Sequence, residues 1–324
     1  MRQLTYAQAI REAHAQLLKE DPRVFICGQG VWNPWYAGKS LLDLDKEFGR
    51  DRVLDCPVSE NATTAAGIGA AIAGMRPIVF HARMDFMLLA VDPIINQAAN
   101  WSYLFGGQGS VPIVIRCVIN RGGEQGAQHS QALHGLFAHV PGLKVVMPST
   151  PHDAKGLLIA SVRDENPVLY IDDRWLYDDS GDVPEEMYEV PLGKAAVRRQ
   201  GKDVTLAATS FMAAEAIQAV ERLAGLGVDV ELIDLRSVKP WDRDLVFSSV
   251  GKTGRLVIAD AAWHSGGVAA DVAATVTGEL FHALKAPILR VCLPDAPAPT
   301  SVVLERAYYV GAGDIVAAVQ KVLH

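Results

Sequence analysis

The stretch from Pro57 to Asn100, PVSENATTAAGIGAAIAGMRPIVFHARMDFMLLAVDPIINQAAN, contains the strongest sequence signals for both the fold and the functional site. It places one carboxylate, Glu60, at the head of a run of Ala, Thr and Gly that predicts a helix. An apolar strand and an aromatic residue, Phe86, follow. A lone acid before so apolar a run should lie at a dry helix start, which is a common setting for a functional carboxylate. From the spacing alone, an acid favoured by the helix dipole, with Ser59 as N-cap, is the simpler interpretation.

Strand-like and helical runs alternate along the whole chain, which predicts an α/β protein with mainly parallel sheets. The strands expected in the first half are VFICG, PIVFH, PIVIRCV, KVVMP and PVLYID, with helices over residues 59–74, 92–105 and 151–164. The second half repeats the alternation with DVTLAAT, VDVELIDL, GRLVIAD and ILRVCLP, and helices over 212–226, 266–284 and 314–323. A polar stretch with two prolines, residues 177–193, predicts a linker. We therefore expect two α/β domains, residues 1–190 including the linker and residues 191–324.

Composition narrows the class of protein. The chain has 324 residues, of which 50% are hydrophobic and 21% charged, as in an ordinary globular protein. A net charge of −7 and a pI near 5.7 argue against nucleic-acid binding. Charged residues interrupt every apolar run before it reaches membrane-spanning length, and the N-terminus lacks the pattern of a signal or transit peptide. The four cysteines have no CxxC spacing, so we expect reduced core thiols and a cytoplasmic protein.

Two further runs extend the pattern of the opening stretch. They are GAQHSQALHGLFAHVPGLKVVMPSTPHDAKGLL at residues 126–158 and RDENPVLYIDDRWLY at residues 163–177. Together with the opening stretch they resemble the pyrimidine-binding domain of thiamine-diphosphate enzymes. They resemble most closely the β subunit of the E1 component of 2-oxoacid dehydrogenases (pyruvate, branched-chain and acetoin). The resemblance covers nearly the whole length and implies a transketolase-like fold, in which a pyrimidine-binding domain is followed by a transketolase C-terminal-like domain.

The resemblance assigns roles to four residues. It matches Glu60 to the glutamate that activates the cofactor by a hydrogen bond to N1′ of its aminopyrimidine ring. It matches Phe86, expected at a strand end, to the aromatic that packs against this ring, and it places Ala82 in the same cofactor-binding set. It matches His129, in the Gly-rich loop RGGEQGAQHSQ, to a histidine near the reacting carbon and the acyl acceptor. An imidazole there can shuttle protons near neutral pH, although a solvated loop histidine is the simpler alternative.

Metal ions enter only through the resemblance. The backbone carbonyls of Ser161, Val162, Asp164 and Asn166 match positions that hold a structural potassium ion in some relatives. Thiamine diphosphate is held through Mg²⁺, for which the family uses a GDG motif, and this chain has no GDG. The resemblance therefore implies that a second chain, an E1 α-type subunit, holds most of the Mg²⁺ site in an α2β2 heterotetramer.

Several positions depart from the family pattern. Gln29 and Gly30, in CGQGVWNPWYAG, stand where the family commonly has GED or GEE, and His81 and Arg83 stand where apolar or small residues are usual. These departures bear on the substrate and the acyl acceptor more than on the cofactor. His134, a few residues after the QHSQ run, is expected at the surface.

Three functions remain open at this point. The leading hypothesis is oxidative decarboxylation of a small-molecule 2-oxoacid, with acyl transfer to the lipoyl arm of an E2 acyltransferase partner. The alternative is a subunit of a split transketolase-like or acyloin-forming carboligase with the same cofactor. An inactive binding subunit is the third, and the joint presence of Glu60, Phe86 and His129 argues against it.

Overall fold

The computed structural model describes residues 2–324, which form two compact units. The first unit comprises the chain up to Arg121 and Phe137–Leu192, and the second comprises Gly122–Leu136 and Gly193–His324. The division at residues 190 and 191 stays a prediction. The segment 122–136, which carries His129, is the part of the chain whose grouping with the second unit the sequence did not indicate.

The first unit is built around a sheet of parallel strands. Its strands are β1 (Arg2–Thr5), β2 (Val24–Gly28), β3 (Val53–Asp55), β4 (Arg76–His81), β5 (Val114–Ile119), β6 (Lys144–Val146), β7 (Val168–Asp173) and β8 (Ser180–Val183). Strands β6-β7-β5-β4-β2-β3 lie side by side in this order, and every pairing between them is parallel. Strands β5 and β7 are buried along their whole length, as expected for a sheet covered on both faces.

Helices cover this sheet and one of them begins at the predicted site. The helices are α1 (Tyr6–Glu20), α2 (Leu44–Phe48), α3 (Glu60–Ile72), α4 (Met84–Met87), α5 (Trp101–Leu104) and α7 (Pro151–Arg163); the short α6 (His134–Ala138) begins in the second unit and ends in the first. The small residues of α3 allow it to lie close to the sheet. A Cβ atom on Gly67 would come within 2.6 Å of Cγ2 of Val79 on β4, so a larger residue here would push the helix away. Glycine at this position therefore fixes the seat of α3 on β4.

Two predicted segments of the first unit differ from expectation. The helix expected over 92–105 is a π-helical turn, Pro93–Ala99, followed by the short α5. The expected linker over 177–193 contains β8, which pairs antiparallel with β1. An N-terminal strand and a polar stretch about 180 residues later complete each other's backbone hydrogen bonds, and such long-range pairing leaves little trace in the sequence.

The second unit has its own sheet and core. Its strands are β9 (Ala196–Arg199), β10 (Val204–Ala208), β11 (Val230–Asp234), β12 (Ser237–Lys239), β13 (Leu256–Trp263) and β14 (Leu289–Leu293), and its helices are α8 (Ser210–Gly225), α9 (Arg243–Thr253), α10 (Val268–Leu280), α11 (Val302–Tyr308) and α12 (Ala312–Leu323). The order is β14-β13-β10-β11-β9, parallel except for the edge strand β9. The predicted α/β class with mainly parallel sheets is confirmed. No helix in the described part of the chain has the length and apolar character of a membrane span.

Candidate functional site

A cleft in the first unit lies where strands β2 and β4 end and helix α3 begins. Ligand sites in α/β proteins form at this edge of a parallel sheet. The side chains that matter most for the chemistry of the cleft are Gln29, Tyr36, Glu60, Ala82, Arg83 and Phe86. The structure thus brings together the three residues that the resemblance assigned to cofactor binding, Glu60, Ala82 and Phe86.

The close approach of β2 and β4 shapes one wall of this cleft. A Cβ atom on Gly28, the last residue of β2, would come within 2.3 Å of the carbonyl oxygen of Phe80 on β4. Only glycine therefore allows the two strand ends to come this close. The neighbouring Tyr36 ring packs edge-on against Phe80 with 6.5 Å between ring centroids, and both rings line the cleft.

Glu60 is the first residue of α3 and is half-buried. Ser59 occupies the N-cap position, but its side chain makes no capping hydrogen bond. Its carbonyl oxygen accepts the backbone N–H of Thr63 at 2.9 Å. The carboxyl group of Glu60 thus lies at the positive end of the helix dipole and lines the cleft, where it can hydrogen-bond to a ring nitrogen of a ligand.

A buried hydrogen bond fixes the start of α3 against the end of β4. Nε2 of His81 lies 3.0 Å from Oγ1 of Thr64, one helical turn after Glu60. Burial lowers the pKa of His81 to about 4, so the imidazole is neutral at pH 7. A neutral ring can hold this bond without adding charge to the cleft. No sequence signal predicts this contact, because its partners lie 17 residues apart on different elements.

Phe86 presents its ring to the cleft, with 38% of the residue exposed. The expectation that it lies at a strand end is corrected, because β4 ends at His81 and Phe86 belongs to the one-turn helix α4. A partly exposed ring at the cleft can pack against a flat heterocycle. Its role in cofactor binding stays a prediction.

A buried ion pair lies next to Phe80, one of the residues that line the cleft. The guanidinium of Arg116 donates to both carboxylate oxygens of Asp172, at 3.1 and 2.8 Å, and neither residue is exposed. Tyr177 donates its hydroxyl to the same carboxylate at 2.6 Å. Burial opposes the charge on Arg116, but Asp172 prevails and raises the pKa of the guanidinium. The charged group lies 5.1 Å from the ring centroid of Phe80, and this cation–π contact helps to hold the ring of a cleft residue in place.

The cleft of this chain is too small to enclose a cofactor. Its volume is about 60 Å³, whereas pockets that enclose a small ligand measure roughly 300–1,000 Å³. Three apolar residues within three positions of the cleft residues are largely exposed, namely Trp35 at 71%, Val58 at 69% and Leu89 at 65%. Covering such side chains with a partner would remove apolar surface from water, which is favourable.

His129 lies in the segment 122–136, within the second unit. It is half-buried, and its backbone N–H reaches the carbonyl oxygen of Gly126 at 3.4 Å. The second unit anchors this segment at several points. Glu305 accepts the backbone N–H of Glu124 at 2.9 Å, and the Tyr309 hydroxyl accepts that of Gly122 at 3.3 Å.

His134 also anchors this segment, and its position differs from the one expected from the sequence. The sequence placed it at the surface, but it is 1% exposed and its Nε2 lies 3.0 Å from a carboxylate oxygen of Asp260 on β13. Asp260 also accepts the hydroxyl of Thr209 at 2.8 Å. The partner of His134 lies 126 residues away, which explains why local sequence gave no signal of its burial.

The predicted potassium ligands have another partner. The Arg76 guanidinium donates from Nη1 to the carbonyl oxygens of Val162 and Asp164, at 2.8 and 3.2 Å. A potassium ion at these two oxygens would share them with a like charge a few ångströms away, and the potassium site stays a prediction. Ser161 directs its own hydroxyl to Leu157. Within residues 2–324, no cluster of three or more His, Cys, Asp and Glu side chains is arranged to hold a metal ion.

Comparisons with known proteins match both units to one family. Residues 2–178 match the family described as transketolase, pyrimidine binding domain, and residues 193–315 match transketolase, C-terminal domain. The chain is 43% identical to the β subunit of acetoin:2,6-dichlorophenolindophenol oxidoreductase from Cupriavidus necator, over 99% of this chain and 98% of the relative. It is 39% identical to the pyruvate dehydrogenase E1 β subunit of Rickettsia felis, over 99% of both chains.

The chain is also similar to a third β subunit and to a solved structure. The chain is 38% identical to the 2-oxoisovalerate dehydrogenase β subunit of Bacillus subtilis, over 98% of both chains. Among solved structures, it is similar to an inactive β4 tetramer of a split-gene transketolase, with a TM-score of 0.81 and 23% identity over 99% of this chain and 98% of that one. At this identity the structural likeness supports the fold alone.

Proposed function

The chain belongs to the transketolase-like family of thiamine-dependent E1 β subunits, and we propose that it is the β subunit of a 2-oxoacid dehydrogenase. In this proposal it catalyses, together with an α-type subunit, the oxidative decarboxylation of a 2-oxoacid and the transfer of the acyl group to a lipoyl arm. The observation that carries the proposal is the cleft that collects Glu60, Ala82 and Phe86 at the end of β4 and the start of α3.

Each cleft residue has a task in this proposal. Thiamine diphosphate supplies the carbon that takes up the acyl group, and the chain supplies its binding and activation. Glu60 holds and exchanges a proton at N1′ of the aminopyrimidine ring. Phe86 and Ala82 pack against this ring and exclude water. His81, neutral and bonded to Thr64, keeps the helix that carries Glu60 in place.

His129 is proposed as the proton donor in acyl transfer. The acceptor dithiolane gains a thiolate in this step and therefore needs a proton, whereas decarboxylation takes none from this residue. The replacement His129→Ala should slow acyl transfer to lipoyl by ~10²–10⁴-fold, the usual worth of a general acid. Reduction of ferricyanide, which bypasses the lipoyl step, should fall less. Equal losses in the two assays would contradict the assignment.

The small volume of the cleft and the exposed apolar residues beside it support a partner chain. We propose an α-type subunit in an α2β2 assembly, with the cofactor between α and β and most of the Mg²⁺ site on α. The missing GDG motif supports this division. Obligate interfaces of this kind are large and apolar. A lipoyl acyltransferase E2 is the further partner that the proposed reaction requires, and the four unpaired cysteines support a reducing compartment such as the cytoplasm.

The test is thiamine-dependent turnover by the reconstituted complex. The chain is purified with an α-type subunit, and ferricyanide reduction is followed with a panel of 2-oxoacids, with and without thiamine diphosphate and Mg²⁺. We expect turnover only in the two-chain complex with both cofactors. Tight Mg²⁺-dependent cofactor binding by the isolated chain would contradict the divided site. Absence of thiamine-dependent turnover on every substrate would contradict the proposed function.

A second candidate is oxidation of an acyloin such as acetoin. It is favoured by the 43% and 41% identities to β subunits named acetoin:2,6-dichlorophenolindophenol oxidoreductase. The same cofactor and the same cleft residues would catalyse this reaction, because in acetoin, as in a 2-oxoacid, the carbon–carbon bond next to the reacting carbonyl breaks. Including acetoin in the substrate panel, with 2,6-dichlorophenolindophenol as acceptor, separates the two candidates.

A further inference from the structure

Arg83 is a cation in the cleft without a counter-charge. It follows β4, and its side chain lines the same cleft as Glu60. Its Nη1 donates to the carbonyl oxygen of the neighbouring Ala82 at 3.0 Å, while its Nε is buried and has no hydrogen-bond partner. No carboxylate among residues 2–324 forms an ion pair with it. Partly burying a guanidinium without a counter-charge is costly, so this geometry is that of a group that can bind an anion.

The rest of the cleft lining does not supply that anion. Glu60 is the single acid among the residues that line it, and the proposed function commits Glu60 to the cofactor. Gln29, at the end of β2, presents a neutral amide where the resembling β subunits commonly have an acid. His81 is neutral at pH 7 because burial lowers the pKa of the ring. The cleft therefore offers hydrogen-bond donors and one positive charge to whatever binds beside the reacting carbon.

We propose that Arg83 is a specificity-determining residue that binds an anionic group of the substrate distant from the reacting carbonyl and from any carboxylate attached to it. The inference rests on the thiamine-dependent chemistry of the proposed function and adds a distal anion to the substrate. Guanidinium groups bind planar carboxylates and tetrahedral phosphates through paired N–H donors. The shared chemistry is an oxyanion, carried either by a 2-oxodicarboxylic acid or by a phosphorylated hydroxyketone.

Matched substrate pairs distinguish the two sources of the anion. One pair is 2-oxoglutarate and 2-oxovalerate, which share a five-carbon chain and differ in the distal carboxylate. The other is xylulose 5-phosphate and xylulose, which differ in the phosphate. The complex with the α-type subunit is assayed with each pair for wild type, Arg83→Met and Arg83→Lys. Arg23→Met, at an exposed arginine of the same unit outside the cleft, is the matched control.

We expect wild type to prefer, in one pair, the member that carries the distal anion. Arg83→Met should lower kcat/KM for that member by ~10–100-fold, the scale of a lost charge-assisted hydrogen bond, and change the member without the distal anion less than about twofold. Arg83→Lys should lie between, because it keeps the charge and loses the paired donors. The control should behave as wild type.

Three results would overturn the inference. The first is a wild-type enzyme without preference for either anionic substrate. The second is an equal fall with both members of a pair, accompanied by weaker assembly with the α-type subunit, which would make Arg83 an interface contact. The third is a higher cofactor Kd, which would make it a ligand of the diphosphate.

Calorimetric binding of the same pairs gives a readout without turnover. Anion-selective binding that Arg83→Met abolishes supports the inference even if no substrate is turned over, a result that would contradict the proposed function alone. Equal binding of the two members of each pair, in an enzyme that does show thiamine-dependent turnover, would contradict the inference alone.

Discussion

Replacement of Glu60 by glutamine separates catalysis from folding more cleanly than any other change in this chain. Glutamine keeps the length of the side chain and its hydrogen-bonding capacity but cannot hold or release a proton at a ring nitrogen. If Glu60 activates the cofactor, turnover of the two-chain complex should fall at least ~100-fold, the scale of a positioned proton-transfer group. This corresponds to about 2.7 kcal/mol of transition-state stabilisation.

The structure limits the effect of this replacement on stability. Glu60 is half-buried at the first position of α3 and makes no ion pair among the described residues. The folded state therefore loses mainly the attraction between a carboxylate and the helix dipole, about 0.3–1 kcal/mol. For a unit of this size that lowers Tm by at most about 2–4 °C. The losses in activity and in stability thus differ enough to be measured independently.

The assay compares Glu60→Gln with Glu47→Gln in the reconstituted complex. Glu47 is an exposed acid of α2 that forms an ion pair with Arg11 at 2.8 Å, so its replacement removes a surface charge interaction of comparable size outside the cleft. Deuterium exchange at C2 of bound thiamine diphosphate and ferricyanide turnover are measured together with Tm. We expect slow exchange only in Glu60→Gln. Near-normal exchange in this variant would refute the role assigned to the residue, whatever happens to overall turnover.

Three further predictions concern groups around the site. In the folded state the pKa of His81 is about 4, against an ordinary value of 6.5. The contribution of its neutral ring to the free energy of unfolding is therefore complete above pH 6.5 and is lost as the pH falls towards 4. Urea unfolding of wild type should therefore lose about 2 kcal/mol more between pH 7.5 and 5 than that of His81→Gln, and parallel curves would contradict this. Exchanging NaCl for KCl should leave the Tm of wild type unchanged, whereas Arg76→Met, which frees two carbonyls, should gain Tm in potassium; a potassium-dependent Tm in wild type would show that the ion binds beside Arg76. His134→Ala and Asp260→Asn should speed amide hydrogen exchange over residues 122–133 by ~10-fold or more, while His282→Gln, at an exposed histidine of the same unit, should not; unchanged exchange would mean that other contacts hold the segment.

The fold class could be predicted because its signal is local. The apolar run VFICG is β2, from Val24 to Gly28, residue for residue, and the small-residue run after Ser59 is α3. Parallel strands that are buried on both faces appear in the sequence as continuous apolar stretches, so the distribution of apolar residues along the chain identifies them. The gathering of Glu60, Ala82 and Phe86 in one cleft follows from this topology, since it brings the end of β4 next to the start of α3.

The parts of the site that depend on distant partners could not be predicted. The burial of His134 depends on Asp260 on strand β13, and two of the four carbonyls of the expected potassium set, those of Val162 and Asp164, are bound by Arg76, 86 and 88 residues away. An isolated histidine or arginine in the sequence is compatible with surface, core or ligand binding, and only tertiary contacts decide between them. The roles of Glu60, Phe86 and His129 stay predictions until the variants are measured.

The membership of segment 122–136 in the second unit has a consequence for synthesis on the ribosome. The chain emerges from the N-terminus at about 5–20 residues per second, and domains fold as they appear. The residues that anchor this segment, Asp260, Glu305 and Tyr309, are made more than 120 residues after it. For roughly 10–35 s the His129 loop exists without its supports. The segment therefore stays unsupported until Tyr309 has emerged, and a stalled or truncated product would display it to chaperones and proteases.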